Sequence, residues 1–183
     1  KTEQYRGEAQ RQELQRSAAS MDEYLASLEI RVHVARNNPG SLRRVTQLIN
    51  KTNQFNLTTR RYTEDEVATA MREGGVYAAR VVDRFGDMGI VGVAIVRGGE
   101  LETFLMSCRA LGRRIEAQIL RHVCQQEGDR DLKARYRPSA KNRMVESFLD
   151  DNGFEPLSAG PEGKTYRLTR GPDDTPYIHI VAE

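Results

Sequence analysis

The chain has no tryptophan, two cysteines and three histidines among its 183 residues. Cys108 and Cys124 stand sixteen positions apart, which is neither a zinc-ligand spacing nor a disulfide framework. A reducing, cytoplasmic setting is therefore expected. His33, His122 and His179 lack companions at ligand spacing, so no metal site is expected, and a structural role is the simplest reading of each. The longest apolar run, Gly89 to Val96, falls far short of the roughly 20 residues a membrane helix needs, and no secretory signal opens the chain. A formal net charge of +2, with basic residues interleaved among acidic ones, lacks the footprint of a nucleic-acid binder. The first residue is Lys1 rather than methionine, as expected of a piece of a longer protein.

What is present is a composition of 38% hydrophobic and 30% charged residues, enough for one domain of ordinary core size plus an appendage. Residues 1 to 28 favour helix but carry only sparse apolar positions, with a capping pattern at Ser20 and Glu23. Residues 31–34 alternate like a strand, Asn37 to Gly40 form a turn, and Ser41 opens a helix with Leu42, Val45, Leu48 and Ile49 on its apolar face. Thr63 and Glu66 form a capping box for a helix over 64–73 that ends at Gly74-Gly75. Three strands follow, 76–83, 89–96 and 101–106, joined by turn residues into an antiparallel meander. A long amphipathic helix, a strand over 131–137, a helix bearing Met144, Val145, Phe148 and Leu149, and strands from Phe154, over 166–169 and over 177–181 complete the order.

The octet Ser107-Cys108-Arg109-Ala110-Leu111-Gly112-Arg113-Arg114 joins the third meander strand to the long helix, whose apolar positions are Leu111, Ile115, Ile119 and Val123. Cys108 is expected at or just before the helix N-terminus, where unpaired N–H groups, the helix dipole and Arg109 favour a thiolate nucleophile. The alternative is a small buried cysteine at a strand end. Arg109-x-x-Gly112 has the form of a turn in which glycine lets backbone N–H groups approach a phosphate, with Arg113 and Arg114 adding charge.

The hexad Lys51-Thr52-Asn53-Gln54-Phe55-Asn56 is rich in amides and hydroxyls. Either its side chains cap backbone groups, or Lys51, Asn53, Gln54 and Asn56 line a polar ligand site, with Lys141 and Asn142 as a second wall. Asp83 and Asp87 beside the meander turn are candidate carboxylates or turn formers.

The order of elements indicates an α/β fold with a mixed, mostly antiparallel central sheet flanked by helices. It is similar to the GNAT acyltransferase fold, whose coenzyme A pyrophosphate turn corresponds to Arg109, Gly112 and the residues after them. Arg114 departs from the small residue which that pattern carries. Four blocks, "LINKTNQFNLTTRRYT" (48–63), "DRFGDMGIVGV" (83–93), "FLMSCRALGRRIE" (104–116) and "YRPSAKN" (136–142), resemble the C-terminal half of FkbH-like proteins. Members of that family join a HAD-type phosphatase domain to an acyltransferase-like domain and make glyceryl thioesters on acyl carrier proteins from 1,3-bisphosphoglycerate during polyketide biosynthesis.

The resemblance implies that residues 1–30 are a helical linker from an N-terminal phosphatase domain and 31–183 a GNAT-like acyltransferase domain. Magnesium would belong to the phosphatase domain alone, and phosphatase activity is not expected of these residues. No tightly bound cofactor is expected here beyond the phosphopantetheine of a carrier protein, or coenzyme A. Cys108 would carry the acyl group, Arg109 and Arg113 would hold phosphates, and backbone near Gly112 would stabilise the oxyanion. His122, Asp83 or Glu116 would serve as general base. Carrier proteins are usually acidic, so docking on a basic surface, weakened by salt, is expected. Two other readings stay open: a coenzyme A-dependent N- or O-acyltransferase, and a non-catalytic module that docks a carrier protein.

Overall fold

The computed structural model describes residues 2–128 and 131–183, the side chains of Thr2 and Glu3 excepted. Lys1, the first residue of the expected linker, lies outside the described residues. The helices are α1 (Thr2–Ser17), α2 (Met21–Leu28), α3 (Leu42–Lys51), α4 (Glu64–Glu73), α5 (Ile115–Gln126) and the single turn α6 (Phe148–Asp151). The strands are β1 (Ile30–Arg36), β2 (Gly75–Asp83), β3 (Gly86–Arg97), β4 (Glu100–Met106), β5 (Lys133–Tyr136), β6 (Phe154–Gly160), β7 (Gly163–Leu168) and β8 (Ile178–Ala182). They form one mixed sheet in the order β6-β7-β5-β4-β3-β2-β1-β8. Among the described residues only β4–β5 and β1–β8 pair in parallel, so the α/β class and the antiparallel β2–β3–β4 meander read from the sequence are both present.

Alternation along β2 divides its side chains between two cores, as a period of two requires. Val76 and Ala78 meet Val45, Ile49, Val67 and Ala70 of α3 and α4 on one face. Tyr77, Ala79 and Val81 meet Leu25 and Leu28 of α2 and Ile115, Ile119 and Val123 of α5 on the other. The second capping box is complete: Thr63 accepts from the Glu66 N–H while Glu66 accepts from the Thr63 N–H.

α1 differs from every other long helix. Its polar sequence presents no apolar stripe, and Gly7 and Arg11 are its buried positions among the residues whose side chains are described. It is held instead by charge. Arg11 donates to both carboxylate oxygens of Asp83 at 2.6 and 2.8 Å, with both side chains buried. Gly7 permits the approach, because a Cβ there would stand 3.1 Å from the Phe85 carbonyl oxygen.

Parallel pairing of β4 with β5 covers only Glu100–Lys133 and Leu101–Ala134, after which the strands diverge. The chain fills that gap with its own residues 55–57. Leu57 N–H donates to the Phe104 carbonyl at 3.1 Å, Met106 N–H to the Phe55 carbonyl at 3.0 Å, and Arg137 N–H to the Leu57 carbonyl at 2.9 Å. The inserted segment thus satisfies edge groups on both sides that divergence would leave orphaned. Phe55 secures it, edge-on to Phe104 and Phe148 at centroid distances of 6.3 and 5.0 Å. Phe55→Ala should cost about 3–5 kcal/mol in urea unfolding, since a buried ring and its cavity are both lost. Faster amide exchange at Met106 and Leu57 than elsewhere in the sheet would locate the loss at the gap.

Two helix boundaries depart from the sequence reading. The long helix begins at Ile115, not near Cys108, because Gly112 (φ +79°) and Arg114 (φ +60°) adopt left-handed backbone that an α-helix cannot continue. The helix expected around Met144 is a 3₁₀ turn over Arg143–Val145 followed by α6, and Met144 is 55% exposed rather than packed inward.

Candidate functional site

The meander places the end of β4 beside the middle of β3: Ser107 N–H donates to the Val91 carbonyl at 2.7 Å. Cys108 follows as the first residue of a single 3₁₀ turn, Cys108–Ala110, with its side chain exposed. It therefore sits seven positions ahead of α5, and a three-residue turn supplies no helix dipole to its thiol. The buried-cysteine alternative does not hold for Cys108; it describes Cys124, which is buried on α5.

Cys108 and Arg109 form part of the wall of a cleft of about 920 Å³. α1 also lines it, contributing Tyr5, Arg6 and Glu8 among others, and the β2–β3 turn adds Phe85 to Met88. Most charges around the cleft are already paired. Asp87 accepts from Arg80 at 2.6 and 3.0 Å, and that hydrogen bond holds its carboxyl below the ordinary range. Glu8 meets Arg11 at 3.5 Å and Arg113 at 3.4 Å. For Arg11, burial lowers the pKa, but the hydrogen bond and charge of Asp83 outweigh it, and the guanidinium is held above its ordinary value.

The remaining residues singled out from the sequence separate into groups. Gly112 and Arg114 are exposed but do not line the cleft, and Arg114 pairs with Asp22 at 3.2 Å. Arg113 is buried and committed to the protein itself: it donates to the Arg109 carbonyl at 2.9 Å and approaches the Met88 sulfur and Glu8. The turn thus braces Arg109 through Arg113 rather than presenting all three arginines together.

For the polar hexad, the backbone-capping alternative describes the two fully buried amides. Asn56 donates to the Thr52 carbonyl and accepts from Thr58 and Thr59 N–H. Asn142 donates to the carbonyls of Asn56 and Arg137 and accepts from Ser139 N–H. Their polar atoms close the β4–β5 insertion, leaving none aimed at a ligand. Asn53 accepts from Arg61, while Lys51, Gln54 and Lys141 are exposed; none of these lines the cleft with Cys108.

None of the three candidate bases lines the cleft with Cys108. Asp83 is saturated by Arg11 and by Phe85 N–H at 2.9 Å. His122 stacks edge-on to Tyr77 at 6.5 Å, and burial lowers its pKa. Glu116, in the first turn of α5, is half-buried, with a buried Oε2 that lacks a hydrogen-bond partner among the described residues. Burial pushes its pKa up, against the opposing pull of its own backbone N–H and Arg113. A carboxyl raised in this way contributes its stability below the ordinary glutamate range. That contribution is lost as pH climbs through the ordinary and then the raised value. Glu116→Gln should therefore be more stable than the wild type at neutral pH by on the order of 1 kcal/mol, the difference vanishing in acid. Thermal melts at several pH values measure it.

Sequence reasoning missed Arg6, Glu8 and Arg11 because it set α1 aside as a linker. A signal was present: glycine inside an otherwise helix-favouring stretch marks a close approach, and Gly7 is that approach. Among the described residues, no group of three or more His, Cys, Asp or Glu side chains gathers as metal ligands, and no helix is long and apolar enough to cross a membrane. No family model, curated protein or solved structure matches the chain.

Proposed function

We propose that this chain is a GNAT-like acyltransferase domain of the FkbH-like type. It takes a phosphoglyceryl group from 1,3-bisphosphoglycerate onto Cys108 and passes the glyceryl group to the phosphopantetheine thiol of an acyl carrier protein in polyketide biosynthesis. The observation that carries the reading is the placement of Cys108: an exposed thiol on the wall of a large cleft, next to Arg109, whose guanidinium has only a long 3.4 Å contact to Ser107. The antiparallel meander and the short parallel β4–β5 pair further support a GNAT-like fold.

In the first step the Cys108 sulfur attacks the acyl carbon. The C–S bond forms as the C–O bond to the acyl phosphate breaks, inorganic phosphate departs, and the thiol proton passes to solvent or to the leaving phosphate. The partner phosphatase domain, with its magnesium, would then hydrolyse the remaining phosphate ester. The carrier thiol attacks the thioester carbon and releases the Cys108 thiolate. Both transfers belong in the cytoplasm, where the cysteine stays reduced.

The filled β4–β5 gap speaks against a coenzyme A-dependent acyltransferase. An extended pantetheine arm would need the edge N–H and C=O groups that residues 55–57 already occupy. The acceptor arm must therefore reach Cys108 by the α1 cleft. The test is intact mass after incubation with freshly generated 1,3-bisphosphoglycerate. A hydroxylamine-labile phosphoglyceryl adduct supports the reading. Absence of an adduct, together with stoichiometric acetyl-coenzyme A binding, would replace it with the coenzyme A reading. Absence of both would leave a carrier-protein docking module.

A further inference from the structure

We infer that Arg6 of α1 is a substrate-binding residue, and that with Arg109 it makes the Cys108 cleft a site for a small acyl donor carrying negative charge at both ends. This rests on the reading of Cys108 as the acyl-loading thiol. The argument is one of charge. The ionic side chains lining the cleft include Arg6, Glu8, Arg11, Asp87 and Arg109. Arg11 is matched by Asp83, Glu8 by Arg11 and Arg113, and Asp87 by Arg80. Arg6 and Arg109 have no carboxylate partner among the described residues, and both are exposed to the cleft. Two guanidinium groups without a carboxylate partner among the described residues, lining one cleft with a thiol beside one of them, complement a donor with a phosphate at each end and its reactive carbon next to one of them. Each guanidinium presents a planar fork of donors suited to phosphate oxygens.

The architecture keeps these two cations available. Gly7, the residue after Arg6, lies against the Phe85 carbonyl. Glu8, the next, pairs with Arg11 and Arg113, and among the described residues it forms no ion pair with Arg6. Arg113 fixes the Arg109 carbonyl at 2.9 Å, leaving the Arg109 side chain with only its 3.4 Å contact to Ser107. α1 is thus a wall of the site and not a spacer, although its sequence has the polarity of one.

The experiment compares alkylation of Cys108 by iodoacetate, an anion, with alkylation by iodoacetamide, its neutral analogue, in the wild-type chain, Arg6→Gln, Arg109→Gln and Arg43→Gln. Peptide mass mapping separates Cys108 from the buried Cys124. The ratio of the two rates cancels thiol ionisation and reports attraction of an anion to the cleft. Arg6→Gln and Arg109→Gln are each expected to lower the ratio by about threefold to fivefold at low ionic strength, the size of an interaction near 1 kcal/mol. Arg43→Gln, on α3 at the opposite face of the sheet, should keep the wild-type ratio. A wild-type ratio in Arg6→Gln, with Arg109→Gln lowered, overturns the inference. So does loading of Arg6→Gln by 1,3-bisphosphoglycerate at the wild-type rate. A lowered ratio in Arg6→Gln, in a wild-type chain that forms no adduct with the bisphosphate, faults the acyl-loading reading and leaves the anion site standing.

Discussion

Cys108→Ser is expected to form no detectable phosphoglyceryl adduct under conditions that load the wild-type chain, with fold and melting temperature retained. The retention follows from exposure: the side chain contributes no core contact and stands in a turn that serine accommodates. The loss follows from what surrounds it. A serine hydroxyl at neutral pH needs an adjacent base, whereas a thiol is appreciably ionised without one. Asp83 has both oxygens engaged, His122 lies against Tyr77, and Glu116 lies off the cleft wall. A site without a free base suits a donor already activated as a mixed anhydride, because the leaving phosphate departs without general-acid help. This is the chemical match between an acyl phosphate and this cleft. An adduct that persists on Cys108→Ser would place the acyl group on another side chain.

The readability of the chain varied with how local each decision is. The capping box at Thr63 and Glu66, the meander and the α3 and α4 stripes were legible because each depends on residues within one turn or one strand. The start of α5 was not, since apolar spacing through Leu111 continues smoothly while the backbone reverses at Gly112 and again at Arg114. A positive φ at an arginine leaves no mark in composition. The two outcomes for the polar hexad differ only in whether its amides meet a ligand or the chain; the Asn56 amide meets Thr52, Thr58 and Thr59 nearby, but it is the pairing of the following backbone with Phe104 and Arg137, tens of residues away, that buries the segment in the sheet. The cleft was half legible. Cys108 and Arg109 stood out by chemistry, but the α1 wall is built through an ion pair spanning 72 positions, which no local pattern announces.

That ion pair carries the second large expectation. Asp83→Ala should destabilise the chain by about 3–5 kcal/mol, because it leaves the buried Arg11 guanidinium with only the longer, more exposed contact to Glu8. α1 has little apolar surface to hold it in place, so its only low-energy response is to leave the β2–β3 hairpin and return Arg11 to water. Proteolysis within residues 2–17 should accelerate, and the iodoacetate preference of Cys108 should fall as far as in Arg6→Gln although Arg6 is intact. Asp83 is in this sense a positioning residue that acts on the cleft through Arg11 and α1. Arg11→Met combined with Asp83→Leu distinguishes position from charge. Apolar replacement of a buried pair is often neutral or stabilising, so the double variant should recover stability and re-dock the helix. With α1 back against the hairpin, Arg6 lines the cleft with Arg109 again and the anion preference returns. Recovery of stability without recovery of that preference would mean that the Arg11–Asp83 pair contributes to the field of the cleft itself, and does more than anchor its wall.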